Sequence, residues 1–133
     1  YSEYLHFVQV LTIVELYFQE LVAQLDLYQT DREHLKLIGE LDDFCPALVD
    51  LAELDQLSSI VELYSKANRN SDNEEENSNH PSLLSRLIVL KSYLLFVNKF
   101  IKLTFSRDHQ QLSPLPQAIE AVDKLLEVAQ TFR

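Results

Sequence analysis

Glycine is almost missing from this chain: Gly39 is the only one in 133 residues, where average usage of roughly 7% would supply about nine. A phosphate-cradling loop is built from glycine-rich backbone. An all-β domain needs many turns at positive φ. Both classes are excluded. Methionine and tryptophan are absent, and there is one cysteine, Cys45. A lone cysteine forms no intramolecular disulfide, and small secreted domains usually carry several. The chain also has no Asn-x-Ser/Thr glycosylation acceptor. These shortages predict an intracellular protein, of cytoplasm or nucleus. Residues 1–30 lack a basic leader, and Glu15 and Glu20 interrupt their apolar stretch, so no signal peptide is expected. No run approaches the ~18 uncharged apolar residues that span a bilayer, and no membrane partner is expected. A start at Tyr1 with no methionine reads as a piece of a larger protein.

Basic residues are scarce as well, 11 against 21 acids, for a net charge of −10. Nucleic-acid binding requires a concentrated basic surface, so no nucleic-acid partner is expected. The imbalance is uneven. Residues 1–79 hold 17 acids and 4 bases, whereas residues 80–133 hold 4 acids and 7 bases. Packed helices of opposite charge explain this simply; a mildly basic face toward a partner is the sharper reading.

What the sequence does have is helical periodicity. Tyr4, Phe7, Leu11, Val14, Phe18, Leu21, Leu25 and Tyr28 alternate spacings of three and four, the 3.5-residue seam of left-handed bundles. They predict a helix over 2–28. Thr30-Asp31-Arg32-Glu33 matches a capping box and opens a short helix to about Leu41. Asp42 and Asp43 before Pro46 suit a helix start, giving a third helix over 46–68 with Leu54, Leu57, Val61 and Tyr64 inward. Residues 69–80 contain no apolar side chain and predict a mobile polar loop. Pro81 opens a helix to about Ser106, with a second seam at Leu83, Leu87, Leu90, Leu94, Val97 and Ile101. Val89, Tyr93, Phe96, Phe100 and Leu103 widen its apolar arc to roughly 200°. Such a helix is central or meets a partner on its second side. Ser113-Pro114-Leu115-Pro116 begins a last helix, with Ile119, Val122, Leu126 and Ala129 inward. The expected fold is one all-α domain, an antiparallel bundle of four main helices plus a short one. A fragment of a HEAT- or armadillo-like α-solenoid is the alternative, although no repeat of about 33–47 residues is visible.

Few residues form a chemical constellation. Glu3-x-x-His6 resembles half of a carboxylate-bridged di-metal site, and Asp31–His34 offers a loose second half. However, the fourth helix has no carboxylate to complete it, so no metal or cofactor is expected. Histidines 6, 34, 80 and 109 have no helical ligand spacing. Cys45 is expected to be a small buried side chain. The acidic run at 72–76 lacks the glycine and the terminal glutamate of a calcium loop. Ser71 and Ser113 stand in contexts that kinases accept. The surface to watch is a stripe on the fourth helix: Lys91, Leu95, Asn98, Lys99 and Lys102 fall within about 100°.

The expected function is a non-enzymatic protein-interaction or scaffold module that docks a helical or acidic partner segment, with self-association left open. A small-ligand carrier or enzyme with a cavity inside the bundle is the alternative.

Overall fold

The computed structural model of the chain describes residues 2–25, 36, 38–71, 81–104 and 112–132. Five helices are found among them and no strand: α1 (Ser2–Leu25), α2 (Leu41–Ala52), α3 (Leu57–Ser71), α4 (Leu83–Thr104) and α5 (Leu115–Thr131). The fold is an all-α helical bundle, as the seven-residue seams imply. From Phe7 to Leu25 every seam residue of α1 is buried, and so is every seam residue of α4. Burying each such Leu or Phe stabilises by roughly 1.5–3 kcal/mol, and these two lines supply much of the core. Helix α5 packs between α2 and α4, while α1 packs against α2 and α4, closing a ring; α3 reaches α1, α4 and α5. In an open solenoid each repeat touches only its neighbours. The contact of the first helix with the fourth makes this a bundle instead.

The expected third helix is two. Its first half starts five residues early, because Leu41, Cys45 and Leu48 form one buried line at the i, i+4, i+7 spacing of a helix face. Pro46 therefore lies inside α2, where it has no amide proton for the Asp42 carbonyl. Both residues are exposed, so water can solvate that carbonyl. The helix then ends at Ala52, with the Glu53 amide reaching Val49 O and Asp50 O at 3.2 Å. Gln56 takes φ 60°, a left-handed conformation that glycine normally fills. Neither glycine nor proline marks this corner, which is why the sequence reads as unbroken. Beyond it Leu57, Ile60, Val61 and Tyr64 are buried and Leu54 half-buried. Residues 69–71, expected to begin the polar loop, instead complete α3. Residues 72–80 lie outside the described residues, as does the Thr30–Glu33 capping box.

Helix α4 begins two residues after Pro81. Ser82 caps it: its Oγ accepts the Ser85 amide at 3.1 Å, and its carbonyl accepts the Arg86 amide at 3.1 Å. Ser82→Ala should lower stability by about 1 kcal/mol, the usual value of an N-cap hydroxyl, as read by urea unfolding. At α5 the inward face is rotated by about one residue from the expected one. Leu115, Ala118, Val122, Leu125 and Ala129 are buried, while Ile119 and Leu126 are half-buried. The helix is held between α2 and α4, so its buried arc faces both. The alanines at 118 and 121 let the neighbouring backbones approach.

Helix α1 is also the one described helix long and apolar enough, by length and composition, to cross a membrane. A core helix of a soluble bundle passes the same test, as does a signal sequence, and the seam of α1 is packed inside this bundle.

Candidate functional site

Apolar side chains are segregated unequally in this bundle. Ten large ones are exposed among the described residues, and eight of them sit on α1 and α4. On α1 these are Leu5, Ile13 and Leu16; on α4 they are Ile88, Val89, Leu95, Phe96 and Leu103. Neither α2 nor α5 contributes any. A helix that is apolar all round belongs in an interior, and α4 has one buried side and one bare one. The contrast is sharpest at adjacent positions: Leu94 is fully buried, Leu95 is 47% exposed and Phe96 40%.

Helices α1 and α4 pack against each other, and a polar bridge joins them. Arg86 Nε donates to Glu15 Oε2 at 3.1 Å, and its terminal nitrogens donate to Glu15 Oε1, to Tyr64 Oη at 2.8 Å and to Thr12 Oγ1 at 3.3 Å. Thr12 passes its own proton to Val8 O at 2.8 Å. The guanidinium carbon also lies 5.8 Å from the Tyr64 ring centroid. Thr12 shares a helical line with Leu5 and Leu16, seven residues before it and four after. Arg86 shares one with Val89, Tyr93 and Phe96, three, seven and ten residues on. On that line Val89 and Phe96 are exposed, while Tyr93 is half-buried against the core.

Arg86 lies in the first turn of α4, at the positive end of its dipole, and is only 16% exposed. Burial alone would lower its pKa, but the hydrogen bonds it donates to Glu15 and Tyr64, with their charges, raise it above the ordinary value. It stays cationic. The Tyr4 hydroxyl is pushed up, mainly by burial, with Tyr64 adding and Arg86 opposing. Nothing in the sequence singled out Arg86. The one available signal was a lone base at the head of an apolar helix, with Glu15 an acid beside the middle of α1's seam.

The five-residue stripe on α4 divides. Leu95 and Lys99 are exposed and Asn98 is half-buried. Lys91 is committed internally, to Asp123 of α5 at 2.6 Å, a partner within its own half of the chain; the pairing between the acidic and basic halves is seen instead at Glu15 and Arg86. Lys102 is exposed near the end of α4.

Other candidates do not converge. Glu3 and His6 are both exposed, Asp31–His34 lie outside the described residues, and no group of three or more His, Cys, Asp or Glu gathers as a metal site among the described residues. Ser113 Oγ accepts the Leu115 amide at 3.3 Å, a local bond at the head of α5. A cleft of about 190 Å³ opens between Ile38, Leu41, Asp42, Ile101, Leu112 and Pro114. A shallower groove runs along Val49, Ala52, Glu53, Gln117, Glu120 and Lys124. Both open at the surface rather than inside the bundle.

Cys45 is fully buried, and burial, with Asp42 adding, pushes its thiol up to about 12. Burial raises the Tyr17 hydroxyl too, and that ring stacks on Phe44 at 4.1 Å. Because the folded thiol holds its proton more tightly than the unfolded one, its stabilising effect is complete below about pH 9 and is lost as pH rises toward 12. A thiol reagent at pH 8 should label Cys45 only as fast as the bundle opens, and Cys45→Ala should flatten the loss of stability above pH 9. Immediate labelling of the native protein would contradict the burial.

These features define an all-α bundle with one apolar flank, on α1 and α4. In comparisons with known proteins, no family, no curated protein and no solved structure matches the chain.

Proposed function

We propose that this chain is a non-enzymatic protein-interaction module of a larger intracellular protein, which takes a helical partner segment on its α1–α4 flank. One observation carries the reading. Helix α4 buries its whole seam inside the bundle and still exposes a second apolar line, with Leu103 at 79% and Phe96 at 40%. Helix-in-groove recognition uses such anchors at i, i+3, i+4 and i+7. Neighbouring apolar side chains on this flank would be desolvated together, which is where binding energy concentrates.

The test is in-cell crosslinking of the chain, compared with Val89→Ser/Phe96→Ser/Leu103→Ser. These side chains stand outside the core, so the variant should melt within a few degrees of the parent. The expected result is loss of the crosslinked partners with the fold intact. Recovery of the same partners by the folded variant would remove this flank as the site.

A further inference from the structure

We infer that the occupant of the flank is an amphipathic helix whose charged residues over α4 are acidic. This rests on the interaction reading above and specifies its partner. Val89, Phe96 and Leu103 recur every seven residues, with Ile88 and Leu95 keeping the same interval beside them. From Ile88 to Leu103 the line is about 22 Å long at 1.5 Å per residue. A helix with its own seven-residue seam can follow that line over four turns.

Charge selects among the helices that could lie there. Between Leu83 and Thr104 the chain has Arg86, Lys91, Lys99 and Lys102 and no carboxylate. Arg86 is bound by Glu15 and Lys91 by Asp123. Lys99 stands exposed between Phe96 and Leu103 on the outer line and makes no ion pair among the described residues. An acid on the occupant would meet it. A second copy of this chain fits worse: two α4 faces would bring lysines together with no acid from either helix. Like-charge juxtaposition of this kind is what suppresses wrong partners.

The experiment is selection from a displayed library of 21-residue helices. Leucine is fixed at the seam positions, and the flanking positions are randomised among Glu, Lys, Gln and Ser. Selection on the parent chain should enrich Glu at flanking positions. Lys99→Glu should weaken the selected peptides about three- to tenfold, the range for reversing one rim charge, and selection on that variant should enrich Lys instead. Phe96→Ser should abolish capture. Four results overturn the inference: neutral or basic winners; no helix captured at all; Phe96-dependent dimers of the chain by sedimentation; or Phe96-dependent binding to vesicles of phosphatidylserine and phosphatidylcholine. Neutral winners that still need Phe96 would leave the interaction module standing and remove only its acidic partner. Failure to capture any helix overturns the inference, while the crosslinking comparison decides the module itself.

Discussion

Leu94→Ala is expected to lower the stability of this fold by about 3–5 kcal/mol, whereas Leu95→Ala should change it by less than about 0.5 kcal/mol. The two leucines are adjacent on α4. Leu94 is fully buried within the core, and Leu95 is 47% exposed on the outer line. Truncating the first removes the transfer energy of its methyl groups and leaves a cavity in a close-packed interior. Truncating the second removes surface that water already touches. Urea unfolding followed by helical circular dichroism measures both. The comparison is direct because the mutation and the helix are the same. Equal losses would mean that α4 presents a different side to the bundle, and the docking surface would disappear with that result.

Arg86→Ala is the second large effect, a loss of about 2–3 kcal/mol. It leaves Glu15 without its partner at a site where that carboxylate is only 24% exposed, and stranding one half of an enclosed pair costs more than the pair contributes. The value lies below the 3–5 kcal/mol of a fully buried pair because water still reaches Glu15. Arg86→Lys should recover less than half. An ammonium group cannot reach Glu15 with two parallel bonds while also serving Tyr64 and Thr12. A double-mutant cycle with Glu15→Gln should return a coupling of about 1–2 kcal/mol. A coupling near zero would show that the bridge does not join α1 to α4 in solution.

Much of this bundle could be read in the sequence because its two longest helices obey a simple period. The seams Phe7–Leu25 and Leu83–Ile101 name the core correctly since a helix buries whatever stripe repeats every 3.5 residues. The apolar surplus of α4 was legible in part for the same reason: Val89, Phe96 and Leu103 are a second stripe that the first cannot cover, while Tyr93 and Phe100, read with them, are half-buried against the core. The corner at residues 53–56 was not legible. Gln56 adopts its left-handed conformation because the buried residues on either side demand a turn, and no local residue announces it. In α5 the expected Val122 and Ala129 are buried, but the face was placed slightly off because Ala118 and Ala121 are weak markers of an inward face, while Ile119 and Leu126 look more apolar than their half-buried positions. Lys91 shows the limit of reading one helix at a time. Its place on a stripe was right, but Asp123 lies on another helix and claims it. Arg86 is the same case, since its meaning comes from Glu15, 71 residues away, and from Tyr64 across a third helix.

The corner at Gln56 gives the fold a mechanical property. Were residues 53–56 to adopt ordinary helical angles, residues 41–71 could fuse into a single rod of about 46 Å. Straightening would swing Tyr64 out from under Arg86 and uncover Val61, both now inside. The bend is thus a spring held closed by what lies beyond it. Its latch is the Tyr64 hydroxyl, fastened to the very arginine that ties α1 to α4.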